Sequence, residues 1–354
     1  MKDGSVPSTP LNVHDYERLA EATLEPGAWG YFAGGAGDEW TLRENIAAFE
    51  RWVLRPRMLV DVQTCTTRTT VLGHEISMPL IVAPFAYQKM AHRDGELGTA
   101  RAAAAAGTIM CLSTLSLTPL EEVAEVGGQR WFQLYVLKDQ GATRELLARA
   151  RDAGYTAVLL TVDAPLSGRR ERDIRSGFSI APEHPLVNLG REGIQPHQVF
   201  ESITQSLTWR DLEWIAGESG LPVLVKGVLT HEDALLACEH GAAGVVVSNH
   251  GGRQLDGVAA TLDTLPEVVE AVGGRGEVLV DGGIRRGTDV VKALALGARA
   301  VLAGRAVVWG LAVGGEEGAR RVLELLREEI ALALALLGCP SPADVTRAHV
   351  GRSL

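Results

Sequence analysis

Eight short apolar runs, each followed by a longer stretch of helical periodicity, constrain this chain more than any other feature. They lie at 80–83, 109–112, 131–134, 157–161, 223–225, 244–247, 277–280 and 300–302, and helical patterns are predicted between them over 95–106, 119–126, 143–153, 231–240, 262–272 and 288–296. Continuous apolar strands joined by helical crossovers read as a parallel sheet buried on both faces, and a count of eight suggests closure into a (β/α)8 barrel. The alternative, a doubly wound open sheet, usually announces its nucleotide with G-x-G-x-x-G after the first strand. No such match follows a strand here. Gly34-Gly35-Ala36-Gly37 falls in an N-terminal helical region and reads as a turn. The expected fold class is α/β, a TIM barrel forming one domain over 1–354, with an N-terminal helical extension and a long loop after strand four. Helices are expected over 13–24, capped by Asn12, and again after Asp38, while residues 1–10 read as a flexible tail.

The hydrophobic share of 46% gives such a barrel enough core, and the net charge of −10 argues against nucleic acid as a partner. A small anion stays compatible with that charge, because a few local arginines override it. Cys65, Cys111, Cys238 and Cys339 form no C-x-x-C pair and read as structural thiols in a reducing compartment. The first residues carry no apolar signal core, and no segment approaches the ~20 apolar residues of a bilayer span. A cytoplasmic protein without membrane partners is expected.

In a barrel of this type the active site collects at the C-terminal ends of the strands. Strand one is followed by Pro84-Phe85-Ala86-Tyr87 and strand two by Ser113-Thr114. Strand three supplies Gln133 and Tyr135, strand four Thr161 and Asp163, and strand five Lys226. Strand six leads into Ser248-Asn249-His250, strand seven into Asp281-Gly282-Gly283 and strand eight into Gly304-Arg305. Packing alone does not ask for polar side chains at strand ends. After strands seven and eight, backbone N–H groups at Gly282 and Gly283 with Arg285 or Arg305 suit a phosphate; two glycine turns with surface arginines are the plainer reading. Lys226 ends an apolar run, so it needs an anion: a reduced flavin ring, or a structural carboxylate.

His250 with Arg253 is the decisive cluster. Histidine moves protons near neutral pH, and arginine grips a carboxylate through a forked pair. Asp163 can stabilise protonated His250, and Arg169-Arg170 brings a second arginine from the loop after strand four. That loop, 163–206, exceeds the usual length of a structureless connection and reads as an active-site loop. His92 follows strand one. His14, His74, His184, His197, His231, His240 and His349 read as loop, cap or surface residues, and no spacing suggests a metal site.

At these residues the chain resembles the FMN-dependent L-2-hydroxy acid oxidase family, which includes glycolate, lactate and mandelate-oxidising enzymes. The resemblance runs from about residue 11 to 350. S-N-H-G-G-R-Q-L-D at 248–256 carries it, with R-P-R-M-L at 55–59, W-F-Q-L-Y at 131–135, G-R-R-E-R-D at 168–173 and D-G-G-I-R-R-G-T-D-V at 281–290 in support. The resemblance implies that His250 removes a proton from the bound hydroxy acid and that Asp163 supports it. It implies that Arg253 and Arg170, helped by Tyr31, hold the carboxylate while Tyr135 contacts the hydroxyl or keto oxygen. FMN is expected against Pro84, Phe85, Ala86, Ser113, Gln133, Thr161, Lys226 and Ser248. Its phosphate is expected against Asp281, Gly282, Gly283, Arg285, Gly304 and Arg305. The implied reaction gives a 2-oxo acid, with oxygen as acceptor and hydrogen peroxide as product, in a homo-oligomer of four or eight subunits.

The chain departs from the glycolate-oxidase pattern where the side chain of the substrate would lie. Phe85 stands in place of a threonine, Leu115 in place of a tryptophan, and Phe32 in place of a second tandem tyrosine. Tyr87 is closer to the mandelate-oxidising members. A medium or aromatic 2-hydroxy acid is the expected substrate. Two rivals stand beside this reading: a dehydrogenase passing electrons to a quinone or another non-oxygen acceptor, and a non-catalytic flavin-binding barrel. Binding alone needs no base such as His250.

Overall fold

A computed structural model describes residues 9–180, 185–189 and 196–353. All eight apolar runs form strands: β1 (Leu80–Val82), β2 (Ile109–Ser113), β3 (Gln129–Leu134), β4 (Val158–Thr161), β5 (Val223–Val228), β6 (Gly244–Val247), β7 (Glu277–Asp281) and β8 (Ala300–Ala303). They pair in parallel in chain order, and β8 returns to β1, which closes the barrel. The six predicted crossover patterns are helices, one of them, Gly95–Ala106, with the bounds expected.

Strand pleating explains the interior. Side chains alternate in and out, so one row from each strand faces the axis. Ile81, Cys111, Trp131, Leu159, Leu224, Val246, Leu279 and Leu302, one per strand, form a dry internal cluster. Each aliphatic member contributes roughly 1.5–3 kcal/mol by leaving water. Below it, the antiparallel hairpin of Thr69–Val71 and His74–Ile76 inserts Val71 and Ile76 into the same cluster. The outward rows, such as Leu112, Phe132, Leu160, Val225 and Val280, join the larger core beneath the helices. Two residues further along several inward rows the chemistry changes, from Cys111 to Ser113, Trp131 to Gln133, Leu159 to Thr161, Leu224 to Lys226 and Leu279 to Asp281. The bottom is thereby sealed and the top is polar.

The N-terminal extension crosses the polar end. Val13–Thr23 is capped by Asn12, whose side chain accepts the Asp15 N–H. A helix not expected from the sequence, Pro26–Ala33, follows, and Trp40–Ala47 begins after the glycine turn. Gly27, Gly30 and Pro26 conceal the second helix from a periodicity argument. The long helix Arg305–Leu337 was also not foreseen. Its backbone breaks at Gly314 and Gly315, which divides the pattern into two shorter pieces. The chain returns to its start where Trp52–Leu54 pairs antiparallel with Val350–Arg352.

The segment 163–206 is less irregular than expected, since it carries the short helices Glu171–Ser176 and Pro196–Ser202. His184 and the side chain of His197 lie outside the described residues, as do residues 1–8 of the expected tail. No helix among the described residues is long and apolar enough to cross a membrane.

Candidate active site

The polar ends of the inward rows line a cavity of about 530 Å³ above the dry cluster. Among its walls are Tyr31, Pro84, Phe85, Ala86, Ser113, Gln133, Tyr135, Thr161, Arg170, Lys226, His250 and Arg253. Asp281, Gly282, Gly283, Arg285, Gly304 and Arg305 complete the set named from sequence. Asp163 and Ser248 are the exceptions: each stands behind a wall residue and holds it. Ser248 Oγ accepts from Lys226 Nζ at 2.9 Å and from the His250 N–H at 3.1 Å.

His250 owes its position to an unusual turn after β6. Its backbone is left-handed, with φ +58°, and Gly251 and Gly252 follow in the same region. A non-glycine residue there is uncommon and needs support from its surroundings. Asn249 supplies it. It exchanges two hydrogen bonds of 2.8 Å with Asn45 on the N-terminal extension, and its Oδ1 also accepts the Gly252 N–H at 3.1 Å. A side chain at Gly252 would lie 2.6 Å from the Leu42 nitrogen, so this turn and the Trp40–Ala47 helix fit only with glycine there. Gln254 then ties the turn to the β4 loop by donating to the Asp163 and Leu166 carbonyls at 2.9 and 2.8 Å.

The result orients the imidazole. His250 Nδ1 lies 2.9 Å from Asp163 Oδ1, while Nε2 faces the cavity, 3.5 Å from the Tyr135 hydroxyl. Burial lowers the His250 pKa from that of an ordinary histidine, against the opposing pull of Asp163, with Lys226 adding to the lowering. Burial would raise the Asp163 carboxyl, but protonated His250 and then Lys226 outweigh it and hold the pKa below the ordinary value. The pair therefore favours neutral imidazole with its proton on Nδ1 toward an ionised Asp163, leaving the Nε2 lone pair free to take a proton. Burial pushes the Tyr135 phenol up, so it stays protonated and able to donate.

Lys226 is matched too. Its ammonium lies 3.3 Å from Asp281 Oδ2, and although burial alone would lower its pKa, Asp281 and then Asp163 hold it above the ordinary lysine value. The structural carboxylate proposed as an alternative partner is thus present. It does not displace the other, since Lys226 still lines the cavity.

The arginines are arranged differently. Arg253 donates through Nη1 to the Tyr31 and Gly34 carbonyls, the latter at 3.1 Å, and its guanidinium lies 4.6 Å above the Tyr31 ring. Arg170 is 5.8 Å from the same ring. Arg305 spends Nε, Nη1 and Nη2 on the carbonyls of Phe32, Gly251 and Gly34 at 3.0, 2.9 and 2.8 Å. Burial and then repulsion from Arg253 and Arg285 press the Arg305 pKa well below its ordinary value. An arginine does not shed its proton, so this cluster asks for an anion.

Three buried atoms on the cavity wall lack a hydrogen-bond partner among the described residues: the donor Arg285 Nε and the acceptors Asp281 Oδ1 and Asp173 Oδ1. The carboxylate nearest the Arg285 guanidinium, that of Glu17, stands 3.5 Å away. An unmet donor among arginines at the start of a helix fits a phosphate, and an unmet carboxylate oxygen fits a hydroxyl. Ser113, Gln133, Thr161 and Lys226 offer further polar contacts toward the barrel axis. The residues present therefore fit a phosphorylated, hydroxylated cofactor such as FMN.

Several cavity residues were not named from sequence. Phe178 stacks on Tyr31, with centroids 4.5 Å apart at 14°, and Phe200 approaches Tyr135 at 6.2 Å. Both come from the segment that lacked periodicity, and no motif marks them. Asp173 and Ile174 also line the cavity; the former sat unremarked inside G-R-R-E-R-D. Phe85, Tyr87 and Leu115, singled out for specificity, line it as well.

Comparison with known proteins matches residues 20–352 to the family described as FMN-dependent dehydrogenase. An L-lactate oxidase of Nostoc sp. is 54% identical, with 96% of this chain and 97% of that protein covered. Glycolate oxidase 1 of Oryza sativa subsp. indica is 51% identical, with 96% and 95% covered. A solved structure of mandelate oxidase with (S)-2-phenylpropionate superposes with a TM-score of 0.91 at 45% identity, over 98% of this chain and 99% of the other.

Proposed function

The chain belongs to the family of FMN-dependent dehydrogenases and uses FMN, and on that premise we propose that it oxidises an L-2-hydroxy acid bearing a medium-sized or aromatic side chain. The 2-oxo acid is one product, and dioxygen, as acceptor, becomes hydrogen peroxide. The observation that carries the reading is His250 Nε2, open to the cavity while Nδ1 is held on Asp163 at 2.9 Å.

The residues divide the work by their chemistry. Arg253 and Arg170, gathered about Tyr31, bind the substrate carboxylate, and the forked guanidinium fixes its orientation. Tyr135 donates to the substrate oxygen. His250 accepts a proton from the hydroxy acid at Nε2, and Asp163 stabilises the imidazolium that results. FMN, held by Ser113, Gln133, Thr161, Lys226 and the arginines after β7 and β8, would supply the two-electron redox chemistry between the substrate and the acceptor. Lys226 holds a positive charge fixed toward the cofactor, an arrangement that needs no reorganisation during the reaction. Ser248 positions both Lys226 and His250.

Phe85, Tyr87, Leu115, Phe178 and Phe200 support the side-chain preference, because burying an apolar substituent among them gains about 0.8 kcal/mol per CH₂. Comparing kcat/KM for glycolate, L-lactate, 2-hydroxyoctanoate and L-mandelate tests it. The last two should exceed glycolate by at least about tenfold; glycolate winning sinks the preference while leaving the reaction class intact. A peroxide assay run beside dye reduction under nitrogen separates oxidase from dehydrogenase.

A homo-oligomer is also proposed. Met58, Leu59, Val60, Leu332 and Leu336 are exposed, and the two segments meet where the Arg57 N–H donates to the Leu337 carbonyl at 3.0 Å. Such a patch is unusual on a monomer. Light scattering should give a multiple of the subunit mass, and a monomer at micromolar concentration rejects the assignment.

A further inference from the structure

A second cavity, of about 560 Å³, lies across the β4–β5 wall from the first. Leu160, Val225 and Val228 form its inner side, while Ile203, just after the helix Pro196–Ser202, and Leu212, in the helix Trp209–Ser219, close it from outside. All five are buried. Its lining residues Gln205, Thr208 and Asp233 are exposed, so the cleft reaches solvent there. Its depth is apolar and its rim polar.

Among the described residues, Thr161 alone lines both cavities. The pleat explains this. Thr161 and Lys226 face the barrel axis, and their neighbours Leu160 and Val225 face the cleft, so one strand's thickness separates the two spaces. Gly227 thins the wall further, because a side chain there would come within 2.7 Å of Asp163 Cβ. The opening of the first cavity is elsewhere, among Ser167–Arg170 and Ile174–Phe178.

None of the steps above uses this cleft. Its apolar depth opposes passage of a carboxylate, which would have to leave water unpaired, but not of a small apolar solute. Resting on the oxidase reading, we propose that the cleft is the entry route and holding site for dioxygen, which reaches the cofactor through the wall at Thr161. There dioxygen takes up two electrons and two protons from the reduced holoenzyme. Its O=O bond becomes an O–O single bond, two O–H bonds form, the cofactor returns to its oxidised state and hydrogen peroxide leaves. A separate entrance lets oxygen arrive while the 2-oxo acid still fills the substrate mouth.

Leu212→Trp and Ile203→Phe fill the cleft from its outer wall, and neither residue lines the first cavity. In stopped-flow measurements on the holoenzyme, the second-order rate constant for reoxidation by oxygen should fall by about tenfold. The rate of reduction by a hydroxy acid and reoxidation by ferricyanide should not change. Crystals of the holoenzyme under xenon should show xenon between Leu160, Val225 and Leu212, and none there in Leu212→Trp. An unchanged oxygen rate constant in whichever variants fold, or a cleft without xenon, overturns the proposal. Failure of oxygen to reoxidise the unsubstituted holoenzyme instead overturns the oxidase reading on which it rests.

Discussion

One side of the cavity pairs its charges and the other leaves them in excess. Beside β4 to β7, His250 meets Asp163 at 2.9 Å and Lys226 meets Asp281 at 3.3 Å. Toward β8 and the N-terminal extension, Arg253, Arg285 and Arg305 converge, and their partners are mainly backbone carbonyls. A pair within the protein fixes geometry and protonation before any ligand arrives. An unmatched cluster works against the fold until an anion reaches it, and then contributes affinity. On the proposed function, the first side reacts and the second binds.

Removing the base should expose this division most strongly. In His250→Ala, anaerobic flavin reduction by substrate should slow by about 10²–10⁴-fold while FMN affinity stays close to normal. A comparable loss of FMN binding breaks the division. On the other side, Arg285→Met should weaken FMN by about 10–100-fold, the worth of a charged hydrogen bond, and leave riboflavin, which has no phosphate, unaffected. Fluorescence titration of the apoprotein with both compounds measures this, and equal losses would remove the phosphate assignment. The smallest effect is a displaced pH limb. Burial lowers the His250 pKa, so the base stays unprotonated below the ordinary histidine value. Activity should therefore be lost as pH falls through a point under 6.5, in the kcat/KM profile that reports the free enzyme. An acid limb at or above 6.5 contradicts the lowered value.

The barrel was legible because its strands are short, apolar and bounded, and because polar residues follow each of them. The proposed proton-handling group was legible for the same reason: His250, Arg253 and Asp163 sit at strand ends, where the fold itself directs them. The hidden parts depend on contacts distant in sequence. Asn45 and Asn249 are separated by 204 positions, and neither lies in a pattern that foretells their exchange of hydrogen bonds. Phe178 and Phe200 belong to a segment without period, so their place against Tyr31 and Tyr135 follows from how the chain folds back. Arg305 was expected at a phosphate, and its three bonds to carbonyls of the N-terminal extension and the β6 turn have no signature in sequence.

The left-handed backbone at His250 sets stability against activity at a single codon. An L-residue there costs about 1–2 kcal/mol relative to glycine, so the residue proposed to start the reaction is also a weak point of the turn that holds it. Replacing it with glycine should relieve that strain and end turnover, while leaving the Asp163 carboxylate without its 2.9 Å partner. Selection for heat resistance alone sets no premium on keeping this side chain, so any thermostabilisation effort on this scaffold has to screen for turnover in the same round.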